Sequence, residues 1–284
     1  MARIALITGG TSGIGFDVAK ELSQSGTWQV NIIGSNNTRG QEAAALLQNT
    51  KFFQADVRNY QQLAGVFNAV FETSHRLDFV FANAGIPEEA LGFYAEHHDA
   101  AATDASIPPE PSLDPVRVNL DGALYTSYLA MHYFRRSPES TKGSRDLVLT
   151  ASIGGLYPCL VTPMYSASKH AIVGFTRCVG KQFFAEGVRV NAICPGVVKT
   201  PLLTQNPDLM AHFPGDTLIP IERVTDIVLQ LISGDGMEDT DGTRVDATEM
   251  HSRAIHITGQ GYYFTEMPDL HDGSAKNTWN RMMG

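Results

Sequence analysis

The sequence predicts an α/β fold, a doubly wound parallel sheet in three αβα layers. Two observations carry this expectation. Strand-like apolar runs alternate with helical stretches from residue 4 to residue 194, and such alternation implies right-handed crossovers and a parallel sheet covered on both faces. The first strand-like run also ends in a glycine-rich turn that opens the first helical stretch. At that junction open α/β sheets bind phosphate groups.

The elements follow in order. Residues 4–8 form a strand that stops at Gly9, and a helix spans 14–25. Residues 30–33 are an apolar run halted by Gly34-Ser35-Asn36-Asn37, a strand-then-turn signature. A helix over 40–48, a strand over 51–55 ending at Asp56-Val57, and a helix over 60–74 come next. The strand 78–82 ends in Asn83-Ala84-Gly85. A long helix over 115–135, a strand over 146–150, a helix over 165–186 and a strand over 189–194 complete the alternation. Three segments interrupt it: a polar loop over 88–112, a polar insertion over 138–145 expected as a surface loop, and the Pro-, Leu- and Phe-rich stretch 200–220. Loops of such length are often lids or binding loops. No repeat, low-complexity tract or linker divides the chain, so 1–284 is expected as one domain with a lid over 200–220 and a tail over 262–284.

Bulk composition narrows the function. The 284 residues are 43% hydrophobic and 18% charged, an ordinary globular balance, and the net charge of -9 argues against a nucleic-acid partner. Cys159, Cys178 and Cys194 are too few and too far apart for a metal knuckle or a disulfide framework and are expected as buried, reduced thiols. No apolar run is long enough to span a bilayer, and the N-terminal "MARIALITGG" enters a strand at once. A cytoplasmic protein without a membrane partner is expected. No metal is expected either. His97-His98-Asp99 has no further ligands at useful spacing, and 235–241 lacks the glycine a calcium loop requires and is expected as an exposed turn.

The residues that suggest chemistry lie at strand ends. The turn Thr8-Gly9-Gly10-Thr11-Ser12-Gly13-Ile14-Gly15 lets backbone approach a pyrophosphate and offers it a helix N-terminus. Asp56-Val57 and Asn83-Ala84-Gly85 end consecutive strands, where a carboxylate can accept from an adenine amino group and a glycine admits a ribose. Tyr165 and Lys169 share one helical face at i and i+4, and an ammonium beside a phenol lowers its pKa for proton exchange with an alcohol or ketone. Ser152 follows the strand "DLVLT" and can hydrogen-bond a carbonyl. Asn119, polar in an apolar helix pattern, needs a partner, for which a water near Lys169 is one candidate.

Together these residues resemble a classical short-chain dehydrogenase/reductase, over roughly residues 3 to 202. The family turn TGxxxGxG matches Thr8, Gly9, Gly13 and Gly15, and its Asn-Ala-Gly matches Asn83, Ala84 and Gly85, with Ala82 where a second Asn is usual. Its catalytic Asn, Ser, Tyr and Lys match Asn119, Ser152, Tyr165 and Lys169, with the usual interval of 13 residues from Ser to Tyr. "PGVVKT" matches PGxVxT and puts Pro195, Gly196, Val198 and Thr200 beside a nicotinamide. The resemblance implies a Rossmann fold and a hydride transfer between nicotinamide and a carbonyl or secondary alcohol. It implies Tyr165 as acid/base, Lys169 as its pKa-lowering partner and ribose ligand, Ser152 as carbonyl polariser and Asn119 as holder of a relay water. A looser resemblance, over "IPPEPSLDPVRVNLDGALYTSYLAMHYFRR" and "SRAIHITGQGYYF", is to the branch similar to 15-hydroxyprostaglandin dehydrogenase.

Leu156, Tyr157 and Cys159 after Ser152, and Leu202, Leu203, Met210 and Phe213 in the lid, are expected to edge a pocket for an apolar small molecule. His170 is expected on the helix surface or as a hydrogen-bonded ring. The tip of the second strand bears on the cofactor. Gly34, 19 residues after Gly15, stands where NAD-specific relatives place an acid. Ser35, Asn36 and Arg39 can contact a 2′-phosphate, so NADP(H) is favoured, with NAD(H) the alternative, and reduction is the favoured direction. Two other functional classes stay open: the same site used for cyclisation, isomerisation or dehydration, and cofactor binding without catalysis. The helix "GALYTSYLAMHYF", apolar around much of its circumference, and the family habit predict a homodimer or homotetramer.

Overall fold

The structure is a computed structural model that describes residues 2–89, 92–95, 110–204, 213 and 217–283. Its strands are β1 (Arg3–Thr8), β2 (Trp28–Gly34), β3 (Thr50–Gln54), β4 (Phe79–Ala82), β5 (Arg145–Thr150), β6 (Val188–Pro195), β7 (Met237–Glu238), β8 (Arg244–Val245), β9 (Ala254–Ile257) and β10 (Tyr262–Thr265). Eight of them form one sheet in the order β10-β9-β6-β5-β4-β1-β2-β3. Every pairing in it is parallel except β10 on β9. The expected doubly wound sheet is present, with one antiparallel edge strand.

The helices are α1 (Gly13–Gln24), α2 (Asn37–Ala45), α3 (Tyr60–Ser74), α4 (Gly122–Arg136), α5 (Pro163–Ala185), α6 (Ile221–Ser233) and α7 (Gly273–Met283). The central strands are apolar on both faces, so each serves two cores. In β1, Ile4 and Leu6 join a core with Phe67 of α3, Phe134 of α4 and Ile172 of α5. Ala5 and Ile7 join the opposite core with Val18 of α1, Ala43 of α2 and Val228 of α6. Alternation of side chains across a strand produces this two-sided burial.

Register brings the carboxyl ends level. Thr8 pairs with Ala82, Ala82 with Leu149, and Thr150 with Ile193. Strand order reverses between β1 and β4, so a crevice opens above that pair, where doubly wound sheets take ligands.

Several expectations need correction. The second helix starts at Asn37, because the Asn36 side chain accepts from Arg39 N at 2.9 Å and caps it earlier than periodicity suggested. The long helix over 115–135 is broken: Asp114–Val116 leads into a wide π turn, Arg117–Asp121, before α4 begins. The insertion 138–145 is an ordered turn, where Arg145 is buried and donates to Thr141 Oγ1 and to the carbonyls of Ser137 and Pro138. The 235–241 stretch enters a β7–β8 hairpin, with Asp239 accepting from the N–H groups of Asp241, Thr243 and Phe264. Cys178 is exposed, Cys159 partly buried and Cys194 buried, so only one thiol behaves as expected. The 262–284 tail starts as β10, and α7 leaves Trp279 and Met282 exposed. His97, His98 and Asp99 lie outside the described residues.

The amino ends of β4, β5 and β6 hold buried charged side chains. Arg189 of β6 grips Asp146 of β5 through Nε–Oδ1 at 2.7 Å and Nη2–Oδ2 at 2.8 Å. Both side chains are almost fully buried. Asp78 accepts from Ile4 N at 2.7 Å and pairs with Arg76. Removing one member of a buried pair strands the other charge. Arg189→Met is therefore expected to cost about 3–5 kcal/mol in equilibrium urea unfolding.

Candidate active site

Hydrogen bonds lock the carboxyl ends together. Thr8 Oγ1 accepts from the N–H groups of Asn83 and Ala84, at 3.0 and 3.2 Å, and donates to Phe81 O. Asn83 Nδ2 donates to the carbonyls of Thr8 and Gly9, and its Oδ1 accepts from Thr150 Oγ1 at 3.0 Å. Thr150 O then accepts from Lys169 Nζ at 2.7 Å. One polar chain thus runs from the glycine turn to the lysine of α5. Thr8 and Asn83 were expected as cofactor neighbours; the structure gives their side chains this tying work. Thr150 was not foreseen, although a polar residue at the same level of three neighbouring strands is a readable signal.

The turn after β1 fits a pyrophosphate. Gly9 has φ +65°, and a Cβ there would lie 2.8 Å from Ala84 Cα. A Cβ on Gly15 would lie 2.5 Å from Gly9 O, so backbone packs on backbone with no room for a side chain. Ser12, the N-cap of α1, makes no side-chain cap, and the first turn, which includes Ile14, holds no acid. Its N–H groups are thus left for an anion.

Tyr165, Ser152 and Lys169 converge above β5 and β6. Pro163 starts α5, and Ser166 Oγ fastens that helix to the turn after Ser152 by donating to Gly154 O at 2.8 Å and accepting from Cys159 N. Ser152 is buried, its Oγ accepts from Gly154 N at 3.1 Å, and its hydroxyl favours ionisation of the Tyr165 phenol. Lys169 is buried, with Nζ 5.6 Å from the Tyr165 ring centre. Burial pushes the lysine down to about 8. Burial also holds the phenol above its usual value, with the Ser152 hydrogen bond pulling the other way. The expected lowering of Tyr165 is thus reversed in the isolated chain: desolvation of the phenolate outweighs its neighbours.

Asn119 sits in the π turn and is buried. Its Oδ1 accepts from Ile86 N at 2.8 Å, and its Nδ2 donates to Ile86 O at 3.0 Å. The protein partners of this amide are therefore backbone of the loop after β4 and, at 3.4 Å, Ser168 Oγ. Gly85 lies against it, its would-be Cβ 3.2 Å from Asn119 Oδ1 and 3.6 Å from Lys169 Nζ.

At the adenosine end the outcome is mixed. Asp56 is engaged by Arg58 through Nη2–Oδ2 at 2.7 Å and two Nε contacts, which holds its carboxyl below the usual range. That pairing competes with the adenine contact expected of it. Val57 is buried against Gly122. Gly34 faces Thr11, whose Cγ2 would lie 2.7 Å from a Cβ at position 34. Ser35, Asn36 and Arg39 are exposed. Among the described residues no group pairs with the Arg39 guanidinium.

Pro195 ends β6, Gly196 N donates to Ile257 O, and Val198 bridges to Ile219. Thr200 approaches the glycine turn, its Cγ2 3.5 Å from a would-be Cβ on Gly13. Of the pocket candidates, Tyr157 is exposed, Cys159 and Phe213 partly buried, and Leu156 packs on the α5-side core. Leu203 is buried, so it packs more than it lines. Leu202 lies in the short helix Pro201–Thr204, and Met210 falls outside the described residues. Exposed Ile153, Leu160 and Val161 add an apolar rim near Ser152. His170 is on the surface of α5, with Nδ1 2.9 Å from Ser166 O.

The family model described as short chain dehydrogenase matches residues 3–209. The chain belongs to the short-chain dehydrogenase family. Among its relatives in this family is the short-chain dehydrogenase/reductase prx7 of Penicillium rubens, 41% identical over 258 residues, covering 89% of this chain and 90% of that relative. Human 15-hydroxyprostaglandin dehydrogenase [NAD(+)] is 33% identical over 209 residues, 71% of this chain and 70% of that one. Two solved structures share the short-chain dehydrogenase fold. One is 3-ketoacyl-(acyl-carrier-protein) reductase of Brucella melitensis complexed with NADH, with TM-score 0.71 at 21% identity over 90% of this chain and 97% of that one. The other is levodione reductase, with TM-score 0.72 at 24% identity over 90% and 96%. Membership supports NAD(P)-dependent dehydrogenase or reductase activity. Among the described residues no helix is long and apolar enough to cross a membrane.

Lys169 has a measurable signature of its own. Its folded pKa lies below its unfolded value, so charging it in the fold costs stability at every pH below about 8. That cost fades as pH rises from about 8 toward the unfolded value near 10.5. The shift is worth roughly 3 kcal/mol at ~1.4 kcal/mol per unit, less about 1 for the lost bond to Thr150 O. Lys169→Met should therefore gain about 2 kcal/mol at neutral pH in urea unfolding, with the gain shrinking at about pH 9.5.

Proposed function

We propose that the chain transfers a hydride between a nicotinamide and the carbonyl or secondary alcohol of a mainly apolar small molecule, acting as a ketone reductase that prefers NADP(H). The observation that carries this reading is the meeting of Tyr165, Ser152 and Lys169 at the strand ends beside the glycine turn. The residues proposed to hold the cofactor are Gly9, Thr11, Ser12, Gly13, Ile14 and Gly15 along the pyrophosphate, and Ala84, Gly85, Lys169, Pro195, Gly196, Val198 and Thr200 toward the nicotinamide. When bound, the nicotinamide supplies or takes up the hydride. Everything else falls to the protein. Ser152 Oγ hydrogen-bonds the substrate oxygen, and the Tyr165 phenol gives that oxygen its proton. The Lys169 charge favours the phenolate left behind. Asn119 holds the loop after β4 through Ile86. The apolar rim of Ile153, Tyr157, Leu160 and Val161 favours an apolar substrate. Residues 200–220 are proposed as the lid, and 1–284 as one domain.

Cofactor preference rests on the β2 tip. Gly34 lacks the carboxylate that would repel a 2′-phosphate, and Arg39 is exposed beside Ser35 and Asn36 with its charge uncommitted. The NAD(+) of the human relative and the NADH of the Brucella structure are properties of those proteins. Exposed Tyr128 on α4 supports a homodimer or homotetramer.

Two measurements test this. Tyr165→Phe is expected to lose at least 100-fold in kcat on a panel of apolar ketones while keeping its cofactor Kd; activity within about tenfold of wild type would defeat the acid/base role. Arg39→Ala is expected to weaken NADPH by about tenfold and leave NADH unchanged by titration calorimetry. Tighter NADH than NADPH in the wild type would overturn the preference.

A further inference from the structure

The loop after β4 touches the helix of Tyr165 at one contact that the scheme above does not use. Glu88 Oε2 accepts a hydrogen bond from the backbone N–H of Tyr165 at 2.7 Å, across 77 residues of sequence. This helix needs such a partner. Its N-cap, Thr162, makes no side-chain bond, its first residue is Pro163, and its first turn contains no acid. The opening N–H groups of a helix are left without internal partners, and a carboxylate there satisfies both the donor and the positive end of the helix. Such caps ordinarily come from the helix's own N-cap residue. Here the cap comes from the loop that borders the cofactor crevice.

Residues 83–88, the start of that loop, are held at other points as well. Asn83 ties its start to β1 and β5. Ile86 is clasped through N–H and C=O by Asn119. Gly85, between them, faces Lys169 Nζ. Glu88 is the third fastening, and it lands on the residue whose phenol the reaction uses. We propose that Glu88 is a positioning residue: it sets the first turn of α5, and with it Tyr165, against the 83–88 segment. The kinetic consequence rests on the hydride-transfer reading; the contact itself does not.

The test compares Glu88→Ala with Glu88→Gln, because glutamine keeps an acceptor without the charge. Glu88→Ala should lower kcat about tenfold with cofactor KM within about twofold, and the isotope effect on kcat with deuterated nicotinamide should rise as chemistry becomes slower. Glu88→Gln should restore kcat to within about twofold of wild type. Amide hydrogen exchange across 163–168 should quicken in Glu88→Ala alone, with the melting temperature little changed, and this readout needs no substrate. Wild-type exchange in Glu88→Ala overturns the proposal. So does unaltered kcat, or a glutamine variant as impaired as the alanine one. If the wild type reduces no ketone, the hydride-transfer reading fails while the exchange comparison still decides the role of Glu88.

Discussion

Everything at the site hangs from the Asn83 side chain. Its amide spans three strand ends, donating to Thr8 and Gly9 beyond β1 and accepting from Thr150 at the end of β5. A parallel sheet fixes neighbouring strands along their lengths, but their ends splay unless something crosses the gap. Both the glycine turn and the lysine of α5 take their positions from this crossing. An amide suits the task because it donates and accepts at once and carries no charge to desolvate.

The molecule separates its polar chemistry by sheet end. At the amino ends, opposite charges meet in Asp146 with Arg189 and Asp78 with Arg76, while the buried Arg145 donates to carbonyls and a hydroxyl. At the carboxyl ends the tying groups are neutral, and the buried cation Lys169 bonds a carbonyl. Buried charges are stable when paired and responsive when they are not. The first arrangement suits a foundation, and the second suits a site whose protonation must change. The phenol of Tyr165 shows the same logic, since burial opposes its ionisation and the Ser152 hydroxyl favours it.

The layer order, and the strand-end and helix positions of the candidate site residues, were legible because they follow local rules. Strand periodicity, the turn at Gly9 to Gly15 and the i, i+4 pair of Tyr165 and Lys169 are all readable within a short window. What escaped the reading depends on residues far apart. The π turn at Asn119 answers the backbone of Ile86, 33 residues earlier. Asp56 was read as free for a ligand, but Arg58, two residues on, folds back to engage it. The cap on α5 comes from Glu88, which in sequence is one acid in a polar loop. The strands over 254–257 and 262–265 were missed because their short runs follow the helix 221–233 outside the regular alternation. Composition had no means of marking which lysine is buried or which thiol is exposed.

Thr11 and Gly34 are sterically coupled. The Thr11 methyl fills the space that a side chain at position 34 would need, with 2.7 Å between them. A side chain at position 34 would require the Thr11 side chain to turn away. The residue at the tip of β2 is thereby coupled to the side-chain conformation of Thr11 across the turn.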